Sequence, residues 1–212
     1  MHSLSYRHSE NRHANELGEK NIVVFASGSG SNFQAIIDAV EANNIDADIT
    51  GLITSKTNIP AIDRALNAGI PFRAILPSQY SDSTAFGLAI LDVLEEWKPD
   101  LIVLAGYMIK VPNNVTHRYR GRIINIHPAL LPKYGGKGYY GERVHRAVLE
   151  AGEQESGCTV HYVDENYDRG PIIAQKKVPV LPGDTPQTLA ERVLNEEHQL
   201  LPQVIQQLLS KL

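Results

Sequence analysis

The sequence predicts an α/β protein: a mostly parallel, twisted sheet, with an antiparallel strand towards the C-terminus and a long C-terminal helix. Three observations carry this. Short apolar runs at NIVVFAS (from Asn21), ADITGLITS (from Ala47) and DLIVLAG (from Asp100) alternate with stretches of helical spacing, the pattern of βαβ units. Runs without polar alternation suit strands covered on both faces, as parallel strands are. The segment from Pro186 places Leu189, Val193, Leu200, Val204, Leu208 and Leu209 along one side, a long helix that Pro202 is expected to kink or divide.

Each element follows in order. Behind the first strand and its Gly28-Ser29-Gly30 turn, Phe33, Ile36, Ile37 and Val40 fall at i, i+3, i+4 and i+7 of a helix. Pro60 to Ala68 reads as a second helix closed by Gly69, Phe72 to Leu76 as a short strand, and Thr84 to Trp97 as a third helix. Ile123 to Pro132 opens as a buried strand that stops at Pro128, because the residue before proline is biased towards extended backbone. Val144, Ala147 and Val148 begin a helix that ends near Ala151-Gly152; CTVHYV is a strand, and PIIAQKKVPV returns antiparallel across a short turn-rich loop. Residues 21–212 read as one domain, with a phosphate-binding half at 21–120 and a catalytic half at 121–212. The first twenty residues are polar and mixed in charge, lack the apolar stretch of a secretory signal, and read as a disordered tail.

The chemistry gathers at three strand ends. In the strand from Ile123, Asn125 and His127 share a face, since side chains two apart do. The amide can hold a developing oxyanion, and the imidazole can move a proton near neutral pH. On these residues alone, a polar pair that merely bonds the following loop is an equal reading. Strand, glycine turn and helix at NIVVFASGSGSN is the order that sets backbone N–H groups against a phosphate. A dinucleotide fingerprint is excluded, because Phe33 stands where the third glycine belongs and the next strand ends in Thr54-Ser55-Lys56 without an acidic residue. A Walker loop is excluded by the missing Gly-Lys-Ser/Thr. A nest for one phosphate remains, with the Ser31 hydroxyl and the Asn32 amide as extra donors; a turn that only packs strand on helix is the alternative. Gly106 to Val111 offers backbone groups and an apolar wall to a flat heterocycle, or is a loop leading into the core. GGKGYYG, residues 135–141, reads as an aromatic-tipped loop able to act as a lid. Asp168 either bonds its own turn or orients His127 and raises its pKa; His161 is expected to support the loop. No HExxH or paired-histidine pattern points to a metal.

Composition narrows the partners. The 212 residues carry a formal net charge of −4, which disfavours nucleic acid or an anionic membrane. Cys158 is the single cysteine, so no intrachain disulfide is expected; it reads as a small buried residue in a chain suited to a reducing cytoplasm. No run of about eighteen apolar residues is present to span a membrane.

Taken together, NIVVFASGSGSN, LAGYMIKV, NIHPALLPKY, the DENYDRGP loop and the EEH near the end resemble the phosphoribosylglycinamide formyltransferases of purine synthesis, within the wider formyltransferase superfamily. The resemblance runs from about Asn21 to the C-terminus and implies the Rossmann-like formyltransferase fold. It implies Asn125, His127 and Asp168 as the catalytic trio, and Gly30, Ser31, Asn32 and Glu197 as contacts to glycinamide ribonucleotide. It further implies Met108, Ile109, Lys110, Val111, Asn125 and Asp164 as contacts to 10-formyltetrahydrofolate, the co-substrate, with no metal. The implied protein is a cytoplasmic monomer or homodimer with small-molecule partners. Thr159 stands where relatives often have Ser. Ser83 or Thr84 stands where many relatives carry a basic contact to the folate tail, and Ile109 replaces a commonly basic residue whose backbone, rather than side chain, matters. Methionyl-tRNA formyltransferase resembles a longer chain with a basic C-terminal domain, and formyltetrahydrofolate deformylase one with an N-terminal regulatory domain. A catalytically silent sensor of a phosphorylated ligand is the rival from another class.

Overall fold

The computed structural model describes residues 20–212, so the reading of a tail at residues 1–20 falls, except for Lys20, outside the described residues. The elements are β1 (Asn21–Ala26), α1 (Ser31–Glu41), β2 (Asp48–Thr54), α2 (Pro60–Asn67), β3 (Phe72–Ala74), α3 (Ser83–Trp97), β4 (Leu101–Leu104), α4 (Asn113–Arg118), β5 (Ile123–His127), α5 (Glu142–Glu150), β6 (Glu155–Tyr162), β7 (Ile172–Pro179) and α6 (Pro186–Leu209). They form one seven-stranded sheet in the order β3-β2-β1-β4-β5-β6-β7. Strands β1 to β5 pair in parallel, whereas β6 is antiparallel to both of its neighbours. The last two strands are therefore antiparallel to each other as expected, but β6 is the one that reverses and β7 rejoins the common direction.

Alternation along the strands builds two cores. Ile22, Val24 and Ala26 pack with Phe33, Ile36, Leu189, Val193 and Leu200 of α1 and α6, while Val23 and Phe25 pack with Phe86, Ile90, Trp97 and Val115 of α3 and α4. Helices thus cover both faces, which is why the central strands lack polar alternation. Gly51 on β2 provides the floor for Trp97, whose indole occupies the space a β-carbon would need.

Three local departures from the sequence reading have physical causes. Helix α6 is not divided at Pro202, because a buried stripe that continues through Leu201, Val204 and Ile205 holds both segments to the sheet. Strand β3 is three residues long, being an edge strand with one partner. Helix α4, which the sequence reading missed, has six residues, too few to show a period.

Between β1 and β4 the winding of the sheet reverses: the chain steps outwards to β2 and β3, then returns to the other side of β1. Loops leaving these two strands diverge, and such a point opens a crevice at the C-terminal edge. Ser27 ties the ends together. Its N–H donates to the Gly106 carbonyl at 3.1 Å, its Oγ accepts from the Met108 N–H at 3.0 Å, and its hydroxyl pairs with that of Ser55 at 2.6 Å.

Candidate active site

A cavity of about 570 Å³ occupies this crevice. Its walls bring together Gly28 to Asn32 from the first loop, Gly106 to Met108 from the second, and Asn125 and His127 from β5. Gly136 to Glu142, Tyr167 with Asp168, and the inner side of α6 as far as Glu197 close it. Met108 comes from the N-terminal half of the chain and Glu197 from the C-terminal half, so both halves share one site.

Antiparallel register sets the polar cluster. Asn125 lies opposite His161 and His127 opposite Thr159, and directly paired residues share a face. The His161 Nδ1 lies 2.8 Å from the Tyr162 carbonyl; a carbonyl can only accept, so Nδ1 carries the proton. Nε2 is then a lone pair, and it accepts the Asn125 amide N–H at 3.1 Å. The carboxamide is therefore held with its nitrogen towards His161.

His127 is 4% exposed. Its Nε2 donates to the Tyr134 carbonyl at 2.8 Å, and its Nδ1 is 3.6 Å from an Asp168 oxygen, an ion-pair rather than a hydrogen-bond distance. The second Asp168 oxygen is 3.6 Å from His161 Nε2. Burial pushes the His127 pKa below its ordinary 6.5, and Asp168 and the Tyr134 carbonyl recover part of that. Asp168 pulls this pKa upwards as expected, but desolvation, the larger effect, leaves the value below 6.5. Burial also pushes Asp168 up, yet His161 and His127, when protonated, and the Gly136 N–H bring it below the usual carboxylate value.

The trio reaches into the glycine-rich loop. Gly136 N–H donates to Asp168 at 2.8 Å, and both Tyr134 and Asp168 adopt left-handed backbone, with φ of 57° and 52°. Such conformations cost about 1–3 kcal/mol each and persist where surrounding contacts over-determine them. Thr159 is one such anchor: its hydroxyl donates to the Ala129 carbonyl at 2.6 Å and accepts from Leu131 N–H at 3.1 Å and Gln175 Nε2 at 2.9 Å.

At the other end, α1 starts from Gly30 in left-handed backbone with no side-chain cap, so its first-turn N–H groups stay available. Together with the helix dipole, this favours an anion. The Asn32 amide, read from sequence as an extra phosphate donor, instead donates to Glu197 at 2.8 Å. Glu197 is buried, and burial pushes its pKa up to about 7 against the hydrogen bond from Asn32. Gly30, Ser31, Asn32 and Glu197 thus all reach the cavity, with the last two locked to each other.

Of the expected heterocycle contacts, Met108 lines the cavity. Ile109 and Val111 instead turn into the α3/α4 core, and Asp164 accepts the Asn166 N–H at 2.7 Å to close its own turn. Lys110 lies outside the cavity wall, with its backbone close enough to Tyr167 to offset part of the rise that burial gives that phenol's pKa. For these four positions, then, the expected contact is not made by side chains in the cavity wall. Tyr167 lines the cavity from the Asp164 to Asp168 loop, which the resemblance places at the folate site. Gln187, Glu191 and His145 are polar lining residues that the sequence reading missed. His145 sits on the buried side of α5 beside Val144 and Val148, its Nδ1 unpartnered and its pKa lowered to about 4 by burial. A polar residue within an apolar stripe was the available signal.

The formyl transferase family profile matches residues 20–205. The chain belongs to the formyl transferase family. Within the formyl transferases, the phosphoribosylglycinamide formyltransferase of Escherichia coli (strain K12) is 41% identical over 186 residues, which cover 87% of this chain and 85% of that protein. The chloroplastic phosphoribosylglycinamide formyltransferase of Vigna unguiculata is 43% identical over 189 residues, 89% of this chain and 61% of its own length. The chain therefore spans about three-fifths of that plant relative. The crystal structure of glycinamide ribonucleotide transformylase 1 from Symbiobacterium toebii matches with a TM-score of 0.86 at 38% identity, over 94% of this chain and 92% of that one.

Proposed function

We propose that this formyl transferase moves the formyl group of 10-formyltetrahydrofolate to the amine of glycinamide ribonucleotide, giving formylglycinamide ribonucleotide and tetrahydrofolate. The observation that carries the reading is the sharing of one cavity by the uncapped N-terminus of α1 and the Asn125, His127 and Asp168 cluster. A substrate with a phosphate at one end and a nucleophile at the other fits that layout. Relatives named phosphoribosylglycinamide formyltransferase support it.

In this mechanism the phosphate sits on Gly30, Ser31 and the first turn of α1, with Glu197 beside the ribose and glycinamide portion. The folate ring lies along Met108, the backbone of residues 109–111 and Tyr167. The amine attacks the formyl carbon, and the carbonyl oxygen becomes an oxyanion to which Asn125 donates. His127, balanced by Asp168, stabilises that charge and carries the proton released by the amine to the departing folate nitrogen. With Nε2–H held by the Tyr134 carbonyl, Nδ1 on the Asp168 side is the nitrogen that takes up and returns this proton. Alignment of the two substrates contributes about 7–11 kcal/mol in favourable cases. The reaction uses no metal, and we place it in the cytoplasm, in a monomer or homodimer.

The test is spectrophotometric appearance of the folate product with and without glycinamide ribonucleotide. Turnover that requires the ribonucleotide supports the proposal; turnover without it means deformylation, and ligand binding without turnover means a sensor. Asn125→Ala is expected to lose about 2.7–4 kcal/mol of barrier lowering, a hundredfold or more in kcat.

A further inference from the structure

The loop that carries the anion site is held from behind by α2. The Gly28 carbonyl accepts from Ala61 N–H at 3.2 Å, and the Ser29 carbonyl accepts from Arg64 Nε at 2.9 Å. A trans peptide points its carbonyl and its N–H in opposite directions. Fixing these two carbonyls on α2 therefore turns the N–H groups of Ser29 and Gly30 away from α2, on residues that line the cavity. Contact is close: a β-carbon on Gly30, where φ is +71°, would lie 2.8 Å from Ala61 Cβ and 3.3 Å from Arg64 Cδ.

Arg64 has a second anchor. Its Nη1 donates to Gln34 Oε1 at 3.0 Å, and Gln34 in turn donates to Asp38 at 2.8 Å, so one guanidinium braces the loop against α1 as well as α2. Both of its acceptors are neutral, so neither cancels its charge. That charge reaches across to α6, where it contributes to holding the His198 pKa down, behind burial as the larger cause.

We infer that Arg64 is a positioning residue for the phosphate of the ribonucleotide: it orients the Ser29–Gly30 peptide so that the N–H faces the ligand and adds positive charge behind it. This rests on the ribonucleotide reading above. It predicts a defect confined to the phosphorylated substrate, because the folate wall at Met108 and Tyr167 shares no contact with Arg64.

Calorimetric titration with ribose 5-phosphate, alongside steady-state kinetics, separates the possibilities. Arg64→Met is expected to weaken ribose 5-phosphate binding and raise KM for the ribonucleotide tenfold or more, with KM for the formyl folate within twofold of wild type. In the same variant kcat falls far less than kcat/KM. Arg64→Lys, which restores charge but not the forked donor, is expected to lie between the two. Arg64→Met binding ribose 5-phosphate as wild type does would overturn the role and leave the ribonucleotide reading standing. Failure of the wild type itself to bind ribose 5-phosphate would remove that reading and the role with it. If Arg64→Met does not fold, Gln34→Met, which removes the second anchor alone, should weaken binding about threefold, and wild-type affinity there overturns the inference.

Discussion

Replacing Glu197 by Gln tests the electrostatics of the cavity floor without using turnover as the readout. The buried carboxyl titrates near 7 in the folded chain against an ordinary 4.5. Its raised value means the folded state prefers the protonated form. The stability this confers is complete below pH 4.5 and is lost as pH rises to about 7. At about 1.4 kcal/mol per pH unit, this interval amounts to about 3 kcal/mol. Gln keeps the shape and the acceptor for Asn32 but cannot ionise. Glu197→Gln should therefore match wild type near pH 4.5 and exceed it by up to about 3 kcal/mol above pH 7. For a chain of this size that corresponds to a midpoint about 6–12 °C higher. Paired thermal melts from pH 5 to pH 9 read the difference directly, since other titrating groups cancel between the two proteins. A difference that stays constant across the range would refute the claim that Glu197 is a desolvated, ionisable floor.

The remaining predictions concern the reaction centre and its supports. Thr159→Val should destabilise the fold by about 1–3 kcal/mol in urea unfolding, because it leaves the Ala129 carbonyl and the Leu131 N–H without their shared partner. Asp168→Asn removes an upward pull on His127, so the acid limb of the pH–rate profile assigned to that imidazole should move to lower pH, with kcat reduced at least tenfold; a limb that stays in place or moves up would separate the two groups. Gly51→Ala forces a methyl into the indole of Trp97 and should cost about 1–3 kcal/mol in denaturant midpoint, with the tryptophan fluorescence altered.

How much of this was legible in the sequence depends on the range of the interaction concerned. Parallel strands covered on both faces announce themselves as continuous apolar runs, so β1, β2, β4 and the helices between them could be read locally. The same holds for Asn125 and His127, because a period of two puts them on one face whatever lies across from them. Phe33 in place of a third glycine, and Thr54-Ser55-Lys56 in place of an acidic strand end, likewise ruled against a dinucleotide site from local sequence alone. Packing decided the rest. That β6 and not β7 reverses depends on which strand accepts the edge of β5. The lowering of the His127 pKa depends on its burial in the assembled fold, where it meets Tyr134 and the distant Asp168. The bond from the Asn32 amide to Glu197, 165 residues away in the chain, was likewise invisible locally. Local patterning thus determined the layers, the strand ends and the residue types placed on them. Protonation states and hydrogen-bond partners were decided only by tertiary structure, because desolvation and pairing are sums over neighbours that the linear sequence does not place together.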